Sequence, residues 1–200
     1  MKLDRSIFQI DAENDTGRLC AFIRERMTSL HRDGIIVPLS GGLDSSTVLG
    51  LCARAVGPDR VTALLMPEGQ GNPEAARFSR IAARHFHVRT LTRDITPLLV
   101  FLGTYNFILS AVPVYWMQGR VARWFMARTQ GSPFQRIITG TGSHLERKAA
   151  ASYRSKHRIR MVVEFMLAEQ RNLLVAGCAH KSEDMLGVFV KFGWEKERET

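Results

Sequence analysis

The chain has 200 residues, enough for one α/β domain with a buried core. Its hydrophobic and charged fractions are ordinary for a globular protein, and its net charge is +9. Three distant cysteines, Cys20, Cys52 and Cys178, with no Cys-x-x-Cys pair, argue against a disulfide framework and a cysteine-rich zinc site and fit a reducing cytoplasm.

The first residues, Met1-Lys2-Leu3-Asp4-Arg5, lack the apolar core of a signal peptide. Thr16–Arg32 reads as an amphipathic helix, with Leu19, Phe22, Ile23, Met27 and Leu30 at helical spacing. Ile35–Leu39 follows as a short apolar run and reads as a buried strand. Ser40-Gly41-Gly42 turns the chain, and Asp44, Ser45 and Ser46 open a helix with Val48, Leu49 and Leu51 among its apolar positions. Val61–Met66 reads as a second strand, ending at Pro67. Asn72-Pro73-Glu74 starts a second crossover helix, with Pro73 near its first position. Its expected buried face is Ala75, Phe78, Ile81 and Ala82. Val88–Leu91 reads as a third strand.

Leu98–Met117 is apolar and aromatic and long enough to raise the question of a membrane. Gly103, Asn106, Ser110 and Pro113 interrupt it, so a dimer interface or a lid over the ligand is the expectation instead. Trp116, Trp124, Phe125 and Met126 continue that character. Gln130–Gly142 reads as a loop, and Ser143-His144-Leu145-Glu146 as a capping box that starts a helix. Ile159–Gln170 is helical by pattern, Asn172 ends it, and Leu173–Gly177 is a fourth strand. Between Arg120 and Arg160 the only acidic residue is Glu146, so this stretch attracts anions, unless it is a solvated helix face.

Strands alternating with helices imply parallel pairing and right-handed crossovers. The expected fold class is α/β, a doubly wound, mostly parallel sheet with helices on both faces. Residues 1–200 are expected to form a single domain, with 98–152 as a helical dimerisation or lid region. Ligands of such sheets sit outside the carboxyl ends of the strands, where the Ser40 loop and Met66 would meet.

The stretch Ile35–Ser46 carries the chemistry. Glycines let a backbone approach an oxyanion, and the amides and dipole of a helix N-terminus supply positive potential. The hydroxyls of Ser40, Ser45 and Ser46 are further candidate donors. Asp44 cannot favour a bare phosphate, so it implies a cation beside it, Mg²⁺ being the natural choice. After the fourth strand, Lys181 offers a point charge for phosphate and Glu183 a second oxygen ligand for a metal, unless the two are a solvent-facing pair on a loop.

Gly-Lys-Ser/Thr is absent, so this is not the lysine-bearing phosphate loop. Ser40-Gly41-Gly42-Leu43-Asp44-Ser45-Ser46 resembles the pyrophosphate loop of ATP-pyrophosphatases. Leu65-Met66-Pro67-Glu68 with Asn72-Pro73-Glu74, then Arg158-Ile159-Arg160-Met161, extend the resemblance to ammonia-dependent NAD synthetases. Val175-Ala176-Gly177 through His180-Lys181-Ser182-Glu183 and Gly187–Gly193 complete it. The resemblance implies an adenine-nucleotide alpha-hydrolase-like fold in a cytoplasmic homodimer. It implies that ATP adenylates the carboxylate of nicotinic acid adenine dinucleotide, after which ammonia forms the amide. It implies ATP contacts at Ser40, Gly41, Gly42, Asp44, Ser45, Ser46, Met66, Cys178 and Lys181. It further implies Mg²⁺ on Asp44 and Glu183, substrate contacts at Arg158 and Lys191, and catalytic roles for Asp44, Lys181 and Glu183.

The chain departs from the family pattern in several places, one of them Ser155, which stands where Asn is usual. Cys178 and His180 replace a Thr and an Asn, and Trp194-Glu195-Lys196 replaces an Asp-rich continuation. The family's final helices and their phosphate-binding Lys have no counterpart before Thr200, so a partner chain that supplies them is one expectation. Slow NAD formation with retained ATP binding is the matching expectation for activity. Another adenylating enzyme acting on a carboxylate or RNA, or a catalytically impaired nucleotide-binding relative, are the alternatives. Binding to nucleic acid or membrane is not expected.

Overall fold

A computed structural model of the chain describes residues 10–69, 71–104, 143–179, 181–186 and 190. The residues of Gly34–Pro38 and Val61–Leu65, buried and pointing alternately to two sides, decide the architecture. The elements in order are α1 (Ala12–Ser29), β1 (Gly34–Pro38), α2 (Leu43–Val56), a 3₁₀ turn (Pro58–Arg60), β2 (Val61–Leu65), α3 (Pro73–His85), β3 (Arg89–Thr92) and α4 (Thr96–Phe101). After residue 142 come α5 (His144–Gln170), β4 (Leu173–Val175) and α6 (Lys181–Leu186).

The four strands among the described residues form one parallel sheet in the order β3-β2-β1-β4. β1 and β2 are buried along their whole length. Their residues point alternately to two cores, as pleating requires. Ile35, Val37, Val61, Ala63 and Leu65 meet Met27, Leu49, Cys52 and Ala83 on the face covered by α1, α2 and α3. Ile36 and Leu64 meet Ile95, Leu99, Val163 and Leu167 on the face covered by α4 and α5. The expected doubly wound α/β sheet is thus observed.

Local signals explain the boundaries. Asp11 caps α1 by accepting from the Asn14 amide at 3.1 Å. Asn72 caps α3 through the Glu74 amide at 3.0 Å, and Pro73 occupies the first helical position. The Ser143–Glu146 capping box is formed in both directions. Asn172 ends α5 with φ +51° and ties it to β1. Its amide nitrogen donates to His31 O and Asp33 Oδ2, and its Oδ1 accepts from Arg32.

Several boundaries and faces correct the sequence reading. α1 starts and ends earlier than Thr16–Arg32, because Asp11 provides the cap. Its buried stripe is Cys20 and Met27 with Ile23 packed behind, whereas Leu19, Phe22 and Leu30 are exposed. In α3 the buried residues are Ser79 and Ala83, and Phe78 and Ile81 face outward. A small residue wins at Ser79 because the glycine loop packs directly against that face. α5 is one helix of 27 residues, which joins the capping box to the Ile159–Gln170 pattern. The third strand begins at Arg89 rather than Val88.

The region expected to dimerise or to form a lid is described only at its ends, in α4 and in the start of α5. The loop expected at Gln130–Gly142 and the basic residues Arg120–Arg136 lie outside the described residues. Among the described residues no helix is long and apolar enough to cross a membrane.

Candidate functional site

The carboxyl ends of β1 and β2 meet α3 around a cavity of about 500 Å³. Its floor is mostly apolar: Leu39, Leu64, Leu65, Met66 and Pro67. Ser40, Glu68, Asn72, Arg80 and Arg160 place polar groups around it. A largely apolar cavity with a few directed polar groups suits a flat, partly polar ligand.

The Ser40 loop is held in place from three sides. Leu39 N donates to Leu64 O at 2.9 Å, which continues the ladder one residue past β1. The buried Ser79 hydroxyl donates to Leu39 O at 3.0 Å. Gly41 has φ +81°, and a Cβ there would lie 2.5 Å from Ala75 O. Only glycine lets the turn press on α3 this closely.

Within the loop the hydroxyls close on the loop itself. Ser45 is 2% exposed, and its Oγ lies 3.0 Å from Ser40 Oγ and 3.3 Å from Ser40 N. Gly42 N donates to Ser40 Oγ, and the Ser46 hydroxyl donates to Gly42 O at 2.8 Å. The three hydroxyls named as candidate donors are thus engaged within the loop. These serines shape the loop, and Ser40 also lines the cavity. Gly42 is the N-cap of α2 and supplies no side-chain cap, so the first amides of α2 receive none from it. Asp44 is exposed in that first turn.

Cys178 follows β4 and is partly buried against the α1–α3 core. Its thiol lies 3.7 Å from Pro38 O. Burial pushes its pKa from 9.0 up to about 12, and the charges of Glu164, Cys52 and Asp44 act in the same sense. The thiol's approach to Pro38 O sets the end of β4 beside the end of β1. Cys52 is pushed to about 12 as well, by burial first and by Cys20 second. Both thiols are therefore expected to resist alkylation at about pH 8, where thiolate is the reactive form. Because both folded pKa values lie above the ordinary thiol value, their contribution to stability is complete below about pH 9. It is lost as pH rises from there through about 12. Thiol titration with an aromatic disulfide, with and without urea, and melting curves from about pH 8 to 10.5 check both statements.

Glu68 adds an ion-pair centre absent from the sequence reading. Its Oε1 accepts from Lys156 Nζ at 3.0 Å and lies 3.7 Å from Arg160 Nη2. Part of the basic stretch thus pairs with an acid from another layer rather than facing solvent. The loop beside it is braced on its other side, where Gly69 N donates to Thr96 Oγ1 at 2.8 Å.

Of the residues singled out from sequence, the structure brings Ser40 and Met66 into one cavity. Gly41, Gly42, Asp44, Ser45 and Ser46 form the turn beside it. Lys181 is the first residue of α6 and Glu183 lies in the same helix. Arg158 is exposed on α5 and does not line the cavity, whereas Arg160, two residues on, does. Lys191, His180 and Trp194 lie outside the described residues. Glu68 and Arg160 stand inside the motifs named above, but nothing in their spacing marks them as a pair; Lys156, which holds Glu68, lies 88 residues from it. Among the described residues no group of three or more His, Cys, Asp or Glu is placed to hold a metal.

The family model described as NAD synthase matches residues 16–147 and 120–196. The chain belongs to the NAD synthase family. It is 33% identical over 181 residues to the NH3-dependent NAD+ synthetase of Thermotoga neapolitana and 34% identical over 180 residues to that of Thermotoga maritima. Each alignment covers 88% of this chain but 61% and 63% of the relatives. The chain thus spans about three fifths of the length of these curated relatives. Among solved structures, the NH3-dependent NAD synthetase of Campylobacter jejuni superposes with a TM-score of 0.65 at 22% identity. It covers 93% of this chain and 64% of that one. The NMN synthetase of Francisella tularensis also gives 0.65, at 19% identity, over 93% of this chain and 62% of that one. At these identities the superpositions establish the NAD synthase fold alone.

Proposed function

We propose that this NAD synthase family chain is an ATP-dependent amide-forming ligase of the NH3-dependent NAD synthetase type. The observation that carries the reading is the glycine turn Ser40–Gly42, pinned to α3 at Gly41 and opening α2 beside a mostly apolar cavity. The cavity suits an adenine ring. The turn and the helix N-terminus suit the polyphosphate attached to it. Met66 lines the base end, and Ser40 stands between the two.

Mg²⁺ ordinarily takes one or two carboxylates and completes its shell with phosphates and water. The exposed Asp44 in the first turn of α2 fits that demand, and Glu183 of α6 is the proposed second ligand. Bound there, Mg²⁺ would offset the charge of the departing pyrophosphate. The residues supply the rest. The loop amides orient the β- and γ-phosphates, and Lys181 is the proposed cation on the leaving group. Cys178 offers a protonated thiol where the family pattern has a hydroxyl. The substrate carboxylate attacks the α-phosphorus, the bond to the bridging oxygen breaks, and pyrophosphate leaves. Ammonia then attacks the acyl carbon, AMP departs, and the amine proton passes to solvent. Arg158 and Lys191 are the proposed contacts to the dinucleotide, in a homodimer for which residues 98–152 are the proposed dimerisation or lid region.

Pyrophosphate–ATP exchange tests this directly. Purified protein with Mg²⁺, labelled pyrophosphate and ATP is expected to exchange label only when nicotinic acid adenine dinucleotide is present. Ammonium is expected to divert the adenylate to the amide. Exchange that ignores the dinucleotide, or protein that binds no ATP, would refute the assignment.

A further inference from the structure

Two cations one helical turn apart on α5 converge on a single carboxylate oxygen of the β2 loop. Lys156 makes the hydrogen bond, at 3.0 Å. Arg160 stands at 3.7 Å, within electrostatic reach but beyond a hydrogen bond. The Glu68 side chain is only 9% exposed, so its charge acts in a medium of low polarity. Lys156 fixes the carboxylate, and the carboxylate draws the guanidinium to the cavity, which Arg160 lines and Lys156 does not. Arg160 thereby brings a guanidinium to the cavity wall. A guanidinium has five N–H donors in a planar fork, and one distant ion pair does not use them up.

We propose that Arg160 is a ligand-contacting residue of this cavity, donating to a phosphate of the bound nucleotide, and that Glu68, anchored by Lys156, is the positioning residue that aims it. The inference rests on the nucleotide reading given above. Phosphate is the group chosen because the guanidinium fork matches its oxygens and because Ser40, at the mouth of the glycine turn, lines the same cavity.

Calorimetric titration of the 200-residue chain with Mg²⁺-ATP and, separately, with adenosine tests it. Arg160→Gln is expected to weaken ATP by about tenfold, the usual size for one charge-assisted hydrogen bond, and to leave adenosine unchanged. Glu68→Gln is expected to give a smaller loss for ATP, again with adenosine unchanged. The double variant is expected to be no weaker than Arg160→Gln alone, because Glu68 acts through Arg160. Arg160→Lys keeps the charge without the fork and is expected to recover part of the loss, which guards against a variant that misfolds. Unchanged ATP affinity in Arg160→Gln overturns the proposal, as does equal weakening of ATP and adenosine, which would mark a merely structural role. Tighter ATP binding by Glu68→Gln would show competition rather than aiming and overturns the positioning role. Wild-type protein that binds neither ligand overturns the nucleotide reading and this proposal with it. Wild-type binding with insensitive variants overturns this proposal alone.

Discussion

Asp44→Ala is expected to lower the affinity for ATP in the presence of Mg²⁺ by about a hundredfold. Loss of a group that merely supports a metal ligand already costs about 10–100-fold, and loss of a ligand itself sits at the upper end of that range. The fold should not suffer, because Asp44 is exposed in the first turn of α2. Its removal even deletes an anion from the place where phosphate is proposed to bind. The prediction therefore has a sign that depends on the metal. With chelator present, the variant is expected to bind ATP as well as wild type or slightly better. With Mg²⁺ present, it is expected to bind far worse. Calorimetry under both conditions reads this, and equal affinities in Mg²⁺ would remove the metal role from Asp44.

Gly41→Ala is expected to destabilise the protein by about 3 kcal/mol and to abolish nucleotide binding. Two effects add. A left-handed backbone costs a side-chain-bearing residue about 1–2 kcal/mol. The new methyl would also lie 2.5 Å from Ala75 O, a backbone atom that cannot swing aside, and overpacking of that kind costs about 1–3 kcal/mol. Gly57 provides the control. Its φ is +87°, but a Cβ there meets nothing within 4 Å. Gly57→Ala is therefore expected to show the conformational cost alone and to bind nucleotide normally. Urea midpoints at constant m-value separate the two. A Gly41→Ala protein destabilised by no more than about 1 kcal/mol would show that the close approach to α3 is not felt.

These two positions show what was legible in the sequence. The strand–turn–helix around Gly41 and Asp44 could be read because its signals are local: an apolar run, a glycine pair, and polar residues opening a helix of apolar periodicity. The order of strands and helices followed from the same kind of pattern, and so did the capping box at Ser143. Periodicity alone misassigned the inward faces of α1 and α3. Leu19, Phe22, Phe78 and Ile81 are apolar yet exposed, while Ser79 is buried. Ser79 is inside because its hydroxyl has the Leu39 carbonyl to bond and because the loop leaves no room for a larger side chain. Such a reason depends on tertiary neighbours and leaves no trace in a helical repeat. Glu68 is the same case among charges. Its partners come from a helix on the far side of the chain, so neither motif nor spacing could join them. Arg158 and Arg160 sit in one motif, and only the packing of α5 decides which of them lines this cavity.

The register between β1 and β4 bears on how the molecule comes to be folded. β1, β2 and β3 follow one another through short crossovers, and their pairings close small loops. β4 pairs beside β1 through residues such as Gly34 and Leu173, and the Arg32–Asn172 bond joins positions 140 apart in sequence. Closing a chain segment of that length costs about 4 kcal/mol of entropy, and a strand of three residues returns few ladder bonds for it. Nucleation is therefore expected in β1–β3, with β4 pairing later. β4, which leads into Cys178, is expected to be the last of the four strands to pair and the first to open. Amide exchange should show it, with Ala176, bonded to Ile36 O, opening well before Leu39, bonded to Leu64 O.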